Sequence, residues 1–262
     1  MTLLLEQQGD EVKITEEVVR AAAENWRGGK EVMALLLEQR RDEVKITEEV
    51  VRAAAENWHS SKEVMALLLD QAADRFEISA GLVAEIARSF DQRAMALLLE
   101  QRGDEVKITE EVVRAAAGND KYGREVMALL LEQRGDEIKI TEKVVRAGAG
   151  RNGKEVMTLL LEQRKKEVKI TEEVVRAAAG NNKCGREVMA LLLEQQGDEV
   201  KITEKVVRAA AGNNKCGKEV MALLLKRRGD GVKITEEVVR AAARNHECGR
   251  EVMALLHEQR AD

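Results

Sequence analysis

Residues 95–119 read MALLLEQRGDEVKITEEVVRAAAGN, and this stretch decides the fold because close copies of it fill the whole 262-residue chain. The nine methionines all occupy one place in the copies and follow one another at intervals of 30 or 32 residues. They are Met1, Met33, Met65, Met95, Met127, Met157, Met189, Met221 and Met253. Self-similarity at this period is typical of a repeat architecture, in which each module packs on the next.

Counting from each methionine divides the chain into eight repeats and a final half repeat, which together form one predicted array. The repeats are 1–32, 33–64, 65–94, 95–126, 127–156, 157–188, 189–220 and 221–252, and the half repeat is 253–262. The third repeat has drifted most. It nevertheless keeps apolar and capping residues where the others have them, as at Ile78, Ser79, Leu82 and Val83.

The composition limits the fold class and the location of the protein. Hydrophobic residues make up 44% of the chain, charged residues 35% and aromatic residues 2%, and there is no proline. Such a chain is too apolar to be disordered and too poor in aromatic residues for a β-sandwich. It has no apolar run near the ~20 residues of a membrane-spanning helix and no secretory signal. We therefore expect a cytoplasmic protein.

Each repeat contains two helix-sized segments. The first, helix A, carries the methionine and three leucines, and we expect its N-cap four residues before the methionine, as at Gly29, Ser61 and Asp91. Helix A should end near a glycine such as Gly103, a residue type common just past helix C-termini. Its nearly continuous apolar surface requires neighbours on several sides.

The second segment, helix B, opens at a hydroxyl N-cap such as Thr15 and continues with acidic residues that suit the positive end of a helix dipole. Val12 and Ile14, on either side of Lys13, predict a short extended connector from A to B that buries both side chains. A helix as short as B is marginal by itself in water. The sequence therefore predicts an all-α fold, an α-solenoid of about eight two-helix repeats plus a terminal half repeat.

The consensus EVMALLLEQRGDEV followed by EEVVRAAAGN resembles the second and first helices of ankyrin repeats. It is similar to the ankyrin-like tandem arrays at the C-termini of fungal NACHT-type (NOD-like receptor) proteins. The chain lacks the T-P-L-H opening, and its connector is too short for an ankyrin β-hairpin, so we expect a plain two-helix solenoid. In that receptor family such arrays are regarded as the recognition end, and the resemblance implies a recognition role here.

The unusual residues lie in the linkers from helix B to the next helix A, which hold four of the five aromatic residues and all three cysteines. Stacking should align these linkers in one surface, which we call the linker ridge. Trp, Tyr and Arg are frequent hot spots of protein interfaces. The alternative is that each aromatic residue or cysteine is a lid over its own helix pair. The candidate partner-binding residues are Trp26, Arg27, Trp58, His59, Phe90, Lys121, Tyr122, Arg151, Lys183, Cys184, Lys215, Cys216, His246 and Cys248.

The cysteines Cys184, Cys216 and Cys248 occupy equivalent places in successive repeats. Helix layers are about 8 to 10 Å apart, beyond the ~7 Å limit between the Cα atoms of a disulfide. We therefore expect free thiols. A zinc site from His246 and Cys248 would need further ligands that the neighbouring repeats do not supply, so we expect no metal and no cofactor.

Helix B carries a glutamate and an arginine four residues apart in seven repeats, a spacing that stabilises a helix by about 0.2 to 0.5 kcal/mol. Solvated intrahelical pairs are the simple interpretation. An arginine ladder for nucleic acid is the alternative, which the adjacent glutamates and the net charge of −5 disfavour. The pairs are Glu16/Arg20, Glu48/Arg52, Glu110/Arg114, Glu142/Arg146, Glu172/Arg176, Glu204/Arg208 and Glu236/Arg240.

Other motifs give no support to catalysis or adhesion. The tripeptide Arg-Gly-Asp begins at Arg102, Arg134 and Arg228, where the glycine already has a role as a helix stop, so we interpret it as coincidence. His59, His246 and His257 are scattered, and no phosphate loop or nucleophile motif occurs.

The sequence thus predicts a non-enzymatic scaffold for protein–protein interaction or ligand sensing. The resemblance implies that this scaffold is the recognition region of a fungal NOD-like receptor. The alternatives are a purely structural spacer and, less favoured, a nucleic-acid-binding repeat protein. No membrane contact is expected. Met1 lies inside a helix A and would leave an apolar face uncovered. We therefore expect either that the chain is a fragment of a larger receptor or that this N-terminal face pairs with another chain in end-to-end self-association.

Overall fold

The computed structural model describes residues 13–57, 59–72, 78–150, 153–196, 200–228 and 232–261. In these ranges the regular structure is helical, with sixteen α-helices, two short 3₁₀ turns and no strand. The all-α prediction is confirmed. Expectations for the N-terminal face around Met1 fall outside the described residues.

The helices alternate between the two predicted types. The B helices are α1 (Glu16–Glu24), α3 (Glu48–Glu56), α5 (Ala80–Ser89), α7 (Glu110–Ala117), α9 (Glu142–Gly150), α11 (Glu172–Ala179), α13 (Glu204–Ala211) and α15 (Glu236–Ala243). The A helices are α2 (Gly29–Arg40), α4 (Ser61–Ala72), α6 (Gln92–Arg102), α8 (Gly123–Arg134), α10 (Gly153–Gln163), α12 (Gly185–Gln196), α14 (Gly217–Arg228) and α16 (Gly249–Ala261). The 3₁₀ turns are Arg41–Glu43 and Gly135–Glu137.

The chain forms two compact units. One consists of Met1–Ala116 and Leu129–Ile138, and the other of Ala117–Ala128 and Lys139–Asp262. Within each unit a B helix packs on the next B helix and on the A helix that follows it, as α1 does on α3 and α2. A helices likewise pack on A helices of the next repeat, as α12 does on α14. This sequential packing is that of an α-solenoid of about eight repeats.

The core is built from the residues that recur in every repeat. Met33, Leu36, Val50 and Ala54 are completely buried, as are many of their equivalents along the chain. The connector residues also lie inside, since Val44 and Ile46 are fully buried. The prediction that the connector tucks two apolar side chains under the helix pair is confirmed.

A threonine or serine precedes each B helix as predicted, although three of these hydroxyls, as at Thr15, accept no capping hydrogen bond. Thr47 and Ser79 accept hydrogen bonds from the backbone N–H three residues later, at 3.4 and 3.0 Å. The Thr47 hydroxyl also donates to Glu16 of the preceding repeat at 2.6 Å, and Thr235 donates to Glu204 in the same way at 2.8 Å. The cap thus joins neighbouring repeats as well as starting a helix.

The predicted N-cap of helix A is right at one place and shifted by one residue at others. Asp91 caps α6, because its Oδ1 accepts from the Ala94 N–H at 3.2 Å. Gly29 and Ser61 are instead the first residues of their helices. The glycine serves close packing: a Cβ atom at Gly249 would lie 2.4 Å from the carbonyl oxygen of Ala242.

Helix A ends just before Gly103 as predicted, but this glycine does not adopt the left-handed conformation. Its φ of −55° and ψ of −35° are right-handed. The turn is closed by a pair three residues apart, in which Arg102 contacts Glu105 at 2.5 Å. The same Arg–Glu clasp occurs at Arg40/Glu43, Arg134/Glu137 and Arg164/Glu167.

Candidate functional site

Six linkers between helix B and the next helix A contain an asparagine that organises a tight turn. Its Oδ1 accepts hydrogen bonds from the backbone N–H groups two and three residues later, at distances of 2.9 to 3.2 Å. This is an Asx turn, which short polar side chains form readily. The asparagines are Asn25, Asn57, Asn119, Asn181, Asn213 and Asn245.

The same side chain bridges to the preceding repeat through its amide nitrogen. Asn213 donates from Nδ2 to the carbonyl oxygens of Ala179 and Asn181, each at 2.9 Å. Asn245 repeats the arrangement toward Ala211 and Asn213 at 3.0 and 2.8 Å. Asn57 makes the corresponding bonds to Ala23 and Asn25 at 2.9 and 3.1 Å. We call this series the asparagine brace.

The brace is a functional feature that our sequence interpretation missed. Five of its six asparagines are buried, with Asn25 exposed. A buried side-chain amide must have its hydrogen bonds satisfied. The recurrence of asparagine at one fixed place in six linkers could therefore have indicated the brace. It sets the linkers side by side, as when the backbone N–H of Asn214 donates to Asn182 at 3.1 Å.

The residue just before helix A is half-buried in all six of these linkers. In three repeats it is a cysteine, and Cys184 and Cys248 lie 3.4 and 3.3 Å from the Nδ2 groups of Asn181 and Asn245. Ser60 has the same role toward Asn57 at 3.1 Å. The three cysteines are free thiols, and burial raises the pKa of the Cys216 thiol. A raised pKa disfavours the reactive thiolate.

Phe90 belongs to packing and not to the exposed ridge that was expected. Its side chain is only 2% exposed, and with Lys62, Ala66 and Leu97 it lines a groove of about 230 Å³. The linker of this repeat is two residues shorter, so Phe90 directly follows the end of helix B and lies beside residues of the two flanking A helices. The lid interpretation therefore holds for Phe90, and Tyr122 is half-buried as well.

The second residue after the asparagine is exposed in all six of these linkers. Trp26 is 58% exposed, and the guanidinium of Arg27 lies 4.5 Å from the centre of its ring. The other exposed candidates are His59, Lys121, Lys183, Lys215 and His246. Trp58 and Arg151 lie outside the described residues. Each long linker thus combines a constant internal asparagine with variable outer residues.

Trp26 lines a groove of about 580 Å³ in the first unit. Glu24, Glu56 and His59 complete its described lining. Glu24 and Glu56 are the last residues of the neighbouring helices α1 and α3. The groove therefore joins the ends of two successive repeats.

Four of the helix B arginines in the predicted pairs form ion pairs with carboxylates of their own helices, namely Arg52, Arg114, Arg176 and Arg240. Arg208 instead lies 3.9 Å from Glu237 of the next B helix. Arg52 contacts Glu48 and Glu49 at 2.8 and 2.7 Å, and Arg240 contacts Glu236 and Glu237 at 2.5 and 2.6 Å. The predicted spacing of four residues thus occurs at Glu48/Arg52 and Glu236/Arg240, whereas Arg114 and Arg176 contact a glutamate three residues before them. Such paired arginines are poorly suited to bind phosphates.

The arginine of Arg134-Gly135-Asp136 is used inside the protein. Its guanidinium donates to the carbonyl oxygens of Gly103 and Val106 of the preceding repeat, each at 3.1 Å, and also contacts Glu137. This arginine is therefore not available to a receptor that would bind the Arg-Gly-Asp tripeptide. Arg102 is likewise engaged with Glu105.

The part of the chain that the structure describes shows neither a metal-binding group nor a membrane-spanning helix. No group of three or more His, Cys, Asp or Glu side chains there is placed to hold a metal ion. Nor does any helix in that part combine the length and apolarity needed to cross a bilayer.

Comparison with known proteins identifies the repeat. One family model, a domain of unknown function named DUF7104, matches residues 3–33, 35–65, 97–127, 129–157, 159–189, 191–221 and 223–253, which is well over half of the chain. The unmatched stretch between the second and third matches contains the drifted repeat. No curated protein and no solved structure matches the chain.

Proposed function

The chain belongs to the DUF7104 family, and from this premise we propose that it is a non-enzymatic repeat scaffold whose linkers bind a partner protein. Repeat arrays commonly present extended binding surfaces built from equivalent positions of successive modules. The linkers are the part of this array in which equivalent positions differ most.

The observation that carries the proposal is the division of each long linker into constant and variable positions. Asn181, Asn213 and Asn245 are buried and brace the backbone. The next two residues are Asn182 and Lys183, Asn214 and Lys215, and His246 and Glu247, and the second of each pair is exposed. A recognition surface requires exposed side chains that can differ between repeats while the backbone that carries them stays in place. The buried asparagines provide that fixed backbone.

A finer version of the proposal is that the array is the recognition region of a fungal NOD-like receptor, located in the cytoplasm. It is supported by the resemblance of the helix A and helix B consensus to the arrays of those receptors. The absence of any catalytic motif in the sequence supports a role in binding over one in chemistry. Recognition could then be of a protein or of a smaller ligand.

Two other functions give different expectations. A structural spacer would tolerate any change at the exposed linker positions. A nucleic-acid reader would use the helix B arginines, and the carboxylates bound to Arg52, Arg176 and Arg240 disfavour it. Binding to nucleic acid would also weaken steeply with salt.

The proposal is tested by charge reversal on the linkers. The triple variant Lys121→Glu, Lys183→Glu and Lys215→Glu changes exposed linker residues of the second unit. Partners captured from a fungal lysate by the unmodified chain are identified by mass spectrometry and then tested with the variant. We expect loss of a specific protein.

A matched control reverses three exposed connector lysines, Lys139, Lys169 and Lys201, and so produces the same change in net charge. Retention of the partner by this control and its loss by the linker variant support the proposal. If both variants capture the partner equally, the linkers are not the binding surface. Capture that disappears after nuclease treatment would favour the nucleic-acid alternative.

A further inference from the structure

The first two linkers depart from the other four long linkers at the residues on both sides of the asparagine. Before it, Glu24 and Glu56 stand where the others have Gly118, Gly180, Gly212 and Arg244. After it, Trp26 and Trp58 stand where the others have Asp120, Asn182, Asn214 and His246. Two adjacent repeats thus share the same pair of changes, in a chain whose repeats are otherwise nearly identical.

Three of these four residues, Glu24, Trp26 and Glu56, meet at one place in the first unit. Glu24, Trp26, Glu56 and His59 line the groove of about 580 Å³. Both carboxylates and the indole are exposed. Among the described residues, neither glutamate forms an ion pair. The groove therefore presents negative charge beside an aromatic face, which is the chemistry that binds an organic cation.

The asparagine brace holds this groove in shape. Asn57 donates from Nδ2 to the carbonyl oxygens of Ala23 and Asn25, the residues on either side of Glu24. Its Oδ1 accepts from the N–H groups of His59 and Ser60 at 3.2 and 3.0 Å. One buried side chain thus fixes the backbone of both linkers, and a preformed site loses less entropy on binding.

The indole already has a guanidinium near its ring. The Arg27 guanidinium carbon lies 4.5 Å from the ring centre of Trp26, within the distance of a cation–π contact. This contact shows that a planar guanidinium can reach the exposed ring, and an arginine of a partner would displace Arg27 or lie on the opposite face of the ring. A guanidinium also forms paired hydrogen bonds to carboxylates, and Glu24 and Glu56 offer two.

We propose that the groove formed by Glu24, Trp26, Glu56 and His59 binds an arginine side chain of a protein partner. This inference deepens the proposed function, on which it rests, by naming the chemistry of the partner at the first two linkers. The carboxylates supply the charge complement, and the indole supplies the flat apolar surface. Repeats with glycine and asparagine at these places lack both features.

The experiment titrates the intact chain with N-acetyl-arginine amide and follows the indole N–H signals by nuclear magnetic resonance. The signal of Trp26 is assigned with a Trp26→Phe variant. N-acetyl-citrulline amide, which has nearly the same shape and no charge, is the ligand control. We expect saturable shifts of the Trp26 signal with arginine at millimolar concentrations and none with citrulline.

The variant Glu24→Gln/Glu56→Gln should weaken arginine binding by about tenfold, since it removes both charges near the cation. Glu162→Gln/Glu194→Gln alters two exposed carboxylates of the second unit, gives the same change in net charge and should leave binding unaltered. Circular dichroism checks that both variants remain helical.

Equal binding of citrulline, no response of Trp26, or equal weakening by the two double variants would overturn the arginine site. A response to N-acetyl-lysine amide as strong as that to the arginine probe would also count against it, because the proposal depends on a planar guanidinium. Failure of this titration would leave the lysine-reversal result on the second unit standing. The two proposals therefore fail separately.

Discussion

The Nδ2 group of Asn245 lies 2.8 Å from the carbonyl oxygen of Asn213, so that one brace asparagine holds the backbone of the previous one. Asn213 in turn donates to the carbonyl oxygen of Asn181 at 2.9 Å. Hydrogen bonds therefore run from linker to linker through equivalent residues. This relation explains why asparagine persists at the one place in the linkers where its neighbours vary.

Replacing Asn213 by alanine should destabilise the array by about 2 to 4 kcal/mol, because two buried carbonyl groups and two N–H groups lose their partner. The free energy of unfolding is measured by urea denaturation followed by circular dichroism. Asn214→Ala, next to it in the chain, is the control and should change stability by less than about 0.5 kcal/mol. Equal effects of the two changes would show that the brace contributes nothing.

Cysteine 248 should be replaceable by serine and not by valine. Its sulfur lies 3.3 Å from Asn245 Nδ2 and 3.2 Å from the carbonyl oxygen of Asn213. A serine hydroxyl can donate to the Asn213 carbonyl as the thiol does and can lie beside the amide as Ser60 does toward Asn57, whereas valine removes the donor to that carbonyl. We expect Cys248→Val to lower stability by about 1 kcal/mol more than Cys248→Ser, measured by thermal unfolding. The reverse order would contradict a polar role for the sulfur.

A small side chain is required where helix A meets helix B at closest distance. Gly249→Ala should destabilise the chain by about 1 to 3 kcal/mol, because the new methyl group would lie 2.4 Å from the carbonyl oxygen of Ala242. Gly28→Ala is the control, since no atom lies within 4 Å of a Cβ built there. Chemical denaturation of both variants measures the difference in their free energies of unfolding. An unchanged stability of Gly249→Ala would mean that the two helices can move apart without energetic cost.

The Arg–Glu clasp at the end of helix A should make a contribution to folding stability that is lost at acid pH. The hydrogen bond from Arg134 lowers the pKa of Glu137 below its usual value of 4.5. A lowered folded-state pKa adds stability above the unfolded value, and this is lost as the pH falls through the folded-state value. We expect the Glu137 side chain to titrate below 4.5 when followed by nuclear magnetic resonance, and to return toward that value in Arg134→Met.

Arg124→Met serves as the control for that titration, because Arg124 is an exposed arginine elsewhere on the same helix. It should leave the Glu137 midpoint where it is in the unmodified chain. A midpoint unmoved by Arg134→Met would show that the guanidinium is not the cause of the lowered pKa.

The fold was predictable from the sequence because its causes are local and repeated. The threonine caps, the apolar connector and the leucine-rich helix each follow from the spacing of residues within one repeat. The start of helix A at Gly29 was not predictable in this way. A cap residue and a residue required for close packing can both be glycine, and only the neighbouring Ala22 carbonyl distinguishes them.

The candidate site was predictable only in part. Its location in the linkers followed from the uneven distribution of aromatic residues and cysteines. The burial of Phe90 depends on how the shortened linker meets helix A, which the sequence pattern does not specify. The brace was missed because its hydrogen bonds join residues 32 or 34 positions apart, and asparagine in a linker suggests a simple turn.

The asparagine brace also bears on how such a chain can change in length. A repeat with a brace asparagine carries both the amide that reaches backward and the carbonyl groups that a following amide needs. Gain or loss of one such repeat therefore preserves these hydrogen bonds wherever the repeats brought together also carry the asparagine. The exposed linker residues are duplicated together with their repeat. A duplication therefore adds a surface position whose residues can then diverge.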